Sequence, residues 1–241
     1  MSTRTRLSFT VKVNATHDPI TLTIADPSQI SADNLALSTW GSSEILANTT
    51  HKITVDLPAT ADLDTLLPVL ELGAGTGLVG MTAAAVWKTT SVLTDLPPIL
   101  PNIEANIKLN NEVIAKYGGN VRYGILDWIH PDRLTFGLDQ NGGEINTSKA
   151  RVILAADTVY SAEHPRLLVN VIKDRLEPGQ LSRLIICYPL RIGYLDHIRD
   201  LWQRLEDANL SCIEEGREHL DQEWEEDVEY EWCVWKWRSA S

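Results

Sequence analysis

Acidic residues recur at telling places behind a glycine-rich turn. In Glu71-Leu72-Gly73-Ala74-Gly75-Thr76-Gly77 an acid stands two residues before the first of three alternating glycines. Glycine permits φ > 0 and puts no Cβ in the way of a close ligand. An apolar run before this turn and a helical run after it make the strand–turn–helix unit that brings backbone N–H groups against a nucleotide-like ligand. Two ligand classes compete for it. Gly75-Thr76-Gly77-Leu78-Val79-Gly80 fits the dinucleotide pattern G-x-G-x-x-G, whereas the longer stretch fits E-x-G-x-G-x-G. A pyrophosphate gains nothing from the Glu71 carboxylate. A ligand carrying an ammonium and a sulfonium does, by Coulomb attraction.

Further along, Asp95 falls 18 positions beyond Gly77, at the end of Ser91-Val92-Leu93-Thr94-Asp95. An acid at that distance, at the tip of the second strand, is placed to take both hydroxyls of an adenosine ribose. The spacing serves nicotinamide and sulfonium ligands alike, and an acid that only caps its loop is the plainer alternative. Asp127-Trp128 follows a third apolar strand. Its carboxylate suits the exocyclic amine of adenine and its indole the flat ring, although Asp127 could instead cap Ile129-His130-Pro131. Arg151-Val152-Ile153-Leu154-Ala155-Ala156 delivers Asp157-Thr158-Val159-Tyr160. In an open parallel sheet ligands sit off the carboxyl ends of the strands, so Asp157 and Tyr160 face the crevice that Gly73 and Asp95 face. Trp40, ahead of a helix that Ser42 or Ser43 could cap, is a core plug or a wall of that crevice.

The elements needed to hold these residues are legible in order. Residues 8–13 and 21–24 alternate around Asp18-Pro19 and read as a small hairpin, with a turn at Asp26-Pro27-Ser28. Strands then alternate with helices at 68–72, 78–87, 91–95, 121–126, 151–156, 163–176, 184–188 and 194–208. Asn102, Asn106 and Asn110 share one face of the helix after Asp95, read as a solvated face. Residues 137–149, with Asn141-Gly142-Gly143, read as a surface loop. A final strand through Tyr230, Trp232 and Val234 closes a hairpin with 210–214. The fold class expected is α/β: a Rossmann-like, seven-stranded sheet with helices on both faces, a C-terminal antiparallel hairpin and a small N-terminal β-hairpin. Residues 1–36 form that extension and 37–241 the main domain.

Composition narrows the function. A formal net charge of −12 with no basic stripe argues against a nucleic-acid substrate and for a basic partner. Between Glu214 and Glu231 ten acids face Arg217 alone, a solvated hairpin end or a docking surface for a basic protein. No apolar stretch approaches the length of a membrane span, and Met1 to Phe9 holds no apolar signal core. Cys187, Cys212 and Cys233 are odd in number and lack C-x-x-C spacing, so reduced thiols in the cytosol or nucleus are expected, with no metal. A monomer is expected.

The chain resembles the lysine methyltransferase-16 family within the seven-stranded S-adenosylmethionine (SAM) methyltransferases. The matching elements are Thr39-Trp40-Gly41, Leu70 to Leu78 around the glycines, Thr94-Asp95-Leu96 with the spaced asparagines, Asp127-Trp128, and Asp157-Thr158-Val159-Tyr160 as a version of the family's D-x-x-Y. They span residues 39 to about 195, and the last is the family-specific one. The resemblance implies SAM as cofactor, held by Trp40, Glu71, Gly73, Ala74, Gly75, Thr76, Gly77, Asp95, Leu96, Asp127, Trp128 and Ala156. It implies Asp157 and Tyr160 beside the methyl-transfer site, and a cytosolic protein such as a translation elongation factor as substrate.

Methyl transfer to lysine needs a free lone pair and close in-line approach, hence a desolvated amine. Asp157 would anchor the arriving ammonium and Tyr160 would wall its channel, limiting or permitting successive methylations. Histidine or small-molecule methylation and a non-catalytic SAM-binding scaffold share the same motifs. A nicotinamide oxidoreductase is disfavoured by Glu71 and by the lack of a Tyr-x-x-x-Lys pair.

Overall fold

The computed structural model describes residues 6–14, 19–25, 39–59, 62–137, 145–220 and 228–239. Asp18, the turn at 26–28, Leu37 and Ser38, Asn141-Gly142-Gly143 and the densest acids at 221–227 lie outside them, as does the expected domain boundary at 36–37.

Apolar runs buried on both faces form the centre of the sheet. β3 (Leu66–Leu72) is flanked by β4 (Thr90–Asp95) and β8 (Lys149–Ala156), all parallel, with β5 (Asn120–Ile125) and β9 (Arg183–Pro189) outside them, also parallel. The C-terminal hairpin of β10 (Leu210–His219) and β11 (Glu229–Trp237) inserts with β11 antiparallel to β9. At the far edge β6 (Leu134–Phe136) and β7 (Ile145–Asn146) add two short antiparallel strands. The order is therefore β10-β11-β9-β8-β3-β4-β5-β6-β7. The seven expected strands are present, and β6 and β7 extend the sheet to nine among the described residues. Of residues 137–149, expected in a loop, Ile145–Asn146 form β7 and Lys149 opens β8.

Strand alternation splits the core between two faces. Leu70, Leu72, Ile153 and Ala155 pack under α4 (His164–Arg175) and α5 (Leu195–Asp207). Val69, Val152 and Leu154 pack against α1 (Gly41–Thr49) and α2 (Leu78–Trp87). α3 (Leu100–Lys116) joins α2 on that second face, where it meets the N-terminal hairpin of β1 (Arg6–Val11) and β2 (Ile20–Ala25).

Two local expectations are corrected. Ser42 and Ser43 do not cap α1: its N-cap position is Trp40, with no side-chain cap, and the Ser42 hydroxyl turns towards Asp157 instead. The asparagine face of α3 is not solvated at Asn106 and Asn110, which are buried. Asn106 Oδ1 accepts from Ala25 N–H, and its Nδ2 donates to Thr76 O at 2.9 Å. Asn110 Oδ1 accepts from Thr23 N–H, and its Nδ2 donates to Thr23 O, both at 2.8 Å. The two carboxamides thus stitch β2 to α3, and Asn106 reaches on to the glycine turn.

Candidate active site

The turn after β3 sets the floor. Gly73 has φ 62° and Gly77 φ 80°, left-handed conformations that L side chains rarely adopt. A Cβ at Gly77 would also lie 2.5 Å from Leu93 Cδ2, so the leucine side chain would have to shift. The backbone then enters α2 with Gly77 as its N-cap.

Over this turn lies a cavity of about 240 Å³ open to solvent. Of the residues singled out from sequence, Trp40, Gly73, Ala74, Gly75, Thr76, Asp95, Leu96, Asp127, Trp128, Ala156, Asp157 and Tyr160 line it. They come from the turn before α1 and from the carboxyl ends of β3, β4, β5 and β8, brought together by the parallel order of those strands.

Each acid is oriented by a hydrogen-bond donor, a backbone N–H for Asp95 and Asp127 and a serine hydroxyl for Asp157. Asp95 Oδ2 accepts from Gly75 N–H at 2.9 Å and Oδ1 from Leu96 N–H at 2.7 Å. Each carboxylate oxygen takes more than one donor, so both can still accept from a ligand. Burial raises the Asp95 pKa against these two N–H groups, which lower it. Asp127 Oδ1 accepts from Ile129 N–H at 2.9 Å, so the turn-capping role and the place on the cavity wall coexist. Asp157 is a non-glycine residue at φ 56°; its N–H donates to Cys187 O and its Oδ2 accepts from Ser42 Oγ at 3.1 Å. Such a strained position at a strand end, turned to a cavity, is a recurrent mark of a functional site.

Glu71 and Gly77 stand apart from the cavity. By alternation Glu71 shares the Val69 face, beneath α2, where it is buried and its Oε2 accepts from Gly80 N–H at 2.9 Å. Burial pushes its pKa up to about 8, outweighing the N–H bond that favours the charged form. The acidic side chains that face the cavity are those of Asp95, Asp127 and Asp157, and no Lys or Arg lines it among the described residues.

The sequence reading missed Ser43, Leu126, Ile129, Thr158, His164 and Leu167 on the same wall. His164 stands edge-on between Tyr160, at 4.3 Å between centroids, and Trp128, at 5.6 Å. Its place at the first turn of α4 was visible in sequence, but nothing in its spacing marked it. Burial by the cavity wall and the charges of Asp95 and Asp157 raise the Tyr160 pKa, so the phenol keeps its proton. The Arg191 guanidinium carbon lies 5.9 Å from the Trp40 ring centre.

A parallel sheet of this order, a glycine turn between its central strand and first helix, and an acid-lined cavity off the strand ends make up a Rossmann-like methyltransferase architecture. An O-methyltransferase family 2 protein from Planctomyces limnophilus shares the fold, with a TM-score of 0.54 at 13% identity over 86% of this chain and 61% of that one. The chain belongs to the lysine methyltransferase family, whose model matches residues 17–199. The protein-lysine N-methyltransferase EFM2 of Saccharomyces cerevisiae is 36% identical over 209 residues, covering 81% of this chain and 46% of that protein. The protein-lysine N-methyltransferase rrg1 of Schizosaccharomyces pombe is 34% identical over 166 residues, covering 69% of this chain and 50% of that protein. The chain thus spans about half the length of these relatives.

Proposed function

We propose that the chain is a SAM-dependent protein N-methyltransferase whose acceptor is a lysine. The observation that carries this reading is the grouping of Asp95, Asp127 and Asp157 around one cavity whose lining, among the described residues, holds no Lys or Arg. Three carboxylates favour a ligand with an ammonium, a sulfonium and ribose hydroxyls, and repel a pyrophosphate. Asp95 takes the ribose, Asp127 the adenine amine, and Trp128 the ring face. The Gly73–Gly77 turn takes the amino-acid end, with Trp40, Leu96 and Ala156 completing the walls. When bound, SAM supplies a methyl group on a positively charged sulfur.

The chain's own residues do the rest by positioning. Asp157 anchors the entering lysine ammonium, oriented by Ser42, and holds the proton that must leave before the nitrogen lone pair is exposed. Tyr160, with its phenol protonated, walls the channel. Desolvation by the apolar lining, including Leu126 and Leu167, lowers the lysine pKa towards neutral. An aligned, dry amine needs little further acid–base machinery.

The substrate is a protein presenting a lysine, and a basic one suits a chain of net charge −12. A translation elongation factor of the cytosol is the first candidate. No helix among the described residues is long and apolar enough to cross a membrane. In this reading residues 37–241 form the methyltransferase domain of a monomer and 1–36 its extension.

Calorimetric titration with SAM, its demethylated product and NAD tests the ligand, and NAD binding without SAM binding would sink the reading. Incubation with tritiated SAM and a cytosolic lysate, followed by mapping of the labelled residue, tests the acceptor. Label on histidine or on a small molecule would replace lysine.

A further inference from the structure

Three aromatic side chains on the cavity wall, Trp128, Tyr160 and His164, stand together and are not equally secured. Trp128 is seated on the β3 turn: a Cβ added at Gly73 would lie only 3.0 Å from its Cζ2 and 3.2 Å from Thr158 Cγ2. Tyr160 is 57% exposed, and among the described residues the aromatic ring against it is that of His164. An exposed aromatic side chain retains rotamer freedom unless something packs on it. His164 packs on this ring and also bonds the Tyr160 backbone. Its ring meets the Tyr160 ring edge-on at 4.3 Å, and its Nδ1 accepts from the Tyr160 backbone N–H at 3.4 Å. The same ring meets Trp128 edge-on at 5.6 Å, so it links the loop after β8 to a residue fixed on the loop after β5.

We propose that His164 is a positioning residue that holds the Tyr160 ring in line with the anchored Trp128, and so sets the wall along which the acceptor amine enters. The proposal rests on the reading of Tyr160 as channel wall. Burial lowers the His164 pKa more than Glu163 and the Thr158 backbone raise it, with His197 also lowering it, which keeps the imidazole neutral. A neutral ring packs edge-on as any aromatic does, without adding a cation beside the entering ammonium. The N–H bond holds only the Tyr160 backbone; the restraint on its side chain is the ring contact, which a carbocyclic ring of similar size should supply.

The test compares His164→Ala with His164→Phe. In protein labelled with 3-fluorotyrosine, the Tyr160 fluorine resonance is identified by its loss in Tyr160→Phe. It should move to the position of a freely rotating tyrosine in His164→Ala and stay dispersed in His164→Phe. An unmoved resonance in His164→Ala overturns the proposal. In parallel, transfer from tritiated SAM to the lysate protein that the wild type labels is followed in a single turnover. His164→Ala should slow it by about tenfold with SAM affinity within about threefold of wild type, and His164→Phe should restore it. A phenylalanine variant as slow as the alanine variant would assign the role to a ring nitrogen instead, against the proposal. If the wild type labels nothing, the methyltransferase reading fails, while the fluorine measurement still decides where Tyr160 is held.

Discussion

Ser42 Oγ donates to Asp157 Oδ2 across 3.1 Å, which ties the first turn of α1 to the end of β8. This contact joins two segments 115 residues apart and aims a carboxylate at the cavity. α1 begins without a side-chain cap because Trp40 holds its N-cap position, which leaves Ser42, inside the first turn, to bond across the site.

Removing that carboxylate separates binding from chemistry. Asp157→Asn keeps a residue that tolerates φ > 0 and can still accept from Ser42, but it loses the charge. It should leave SAM affinity within a few-fold and slow methyl transfer by about a hundredfold, or ~2.7 kcal/mol of barrier. Ser42→Ala should slow transfer by about tenfold, because the carboxylate remains but is less well aimed. Calorimetry and single-turnover transfer on the same folded variants decide it; Asp157→Asn at the wild-type rate would mean that the methyl-transfer site lies elsewhere.

Asp95 is expected to act on the other side of that division. Asp95→Ala removes the acceptor of the Gly75 and Leu96 N–H groups together with the ribose contact. SAM binding should weaken by roughly 1.5–3 kcal/mol, the scale of charge-assisted hydrogen bonds. An unchanged dissociation constant would remove Asp95 from the cofactor site.

Glu71 gives a pH dependence whose sign is fixed by burial. Its pKa rises from 4.5 to about 8 on folding, so the folded state holds a proton that the unfolded chain releases. Stability from this group is full below pH 4.5 and is lost as pH climbs through about 8. The loss runs at up to ~1.4 kcal/mol per pH unit between those limits. Glu71→Gln can still accept from Gly80 N–H and does not titrate. Its melting temperature, measured against wild type from pH 5 to pH 9, should show a gain that grows with pH. A difference constant across that range would mean that Glu71 is charged throughout.

Asn106 offers a stability test at the hairpin. Asn106→Ala leaves Ala25 N–H and Thr76 O without their amide partners in a buried setting. Denaturant unfolding should show a loss of roughly 2–4 kcal/mol, from two stranded polar groups and a lost side chain. SAM affinity should fall as well, because Thr76 lines the cavity. Asn102→Ala, with no such bond to β2 or to the glycine turn among the described residues, should cost much less.

How far the sequence could be read depended on what kind of signal each residue carried. The strand–turn–helix around the glycines was legible because β3 is apolar apart from Glu71 and α2 starts at the residue after Gly77. The gathering of Asp95, Asp127 and Asp157 followed from one rule about parallel strand ends. Glu71 shows where such reasoning falls short. Its motif suggested a ligand contact, yet its parity with Val69 already pointed it beneath α2. Asn106 and Asn110 were read as solvated because helical spacing reports a shared face and not what covers it; the cover is β2, distant in sequence. β6 and β7 are too short, at three and two residues, to show any periodicity. His164 had no spacing signal, since its neighbours Trp128 and Tyr160 arrive from different loops.

The two ends of the nine-stranded sheet carry a consequence for solubility. An open sheet ends in unpaired N–H and C=O groups that can template a strand from another molecule. At one end β7 is only two residues long, too little to offer a register. At the other, β10 is bulged between Cys212 and Glu214 and presents Glu214 and Glu215 to solvent. A second copy approaching that margin would set like charge against like charge and meet a kinked ladder. Like charge and the bulge both oppose pairing of β10 with a second copy, independently of any substrate.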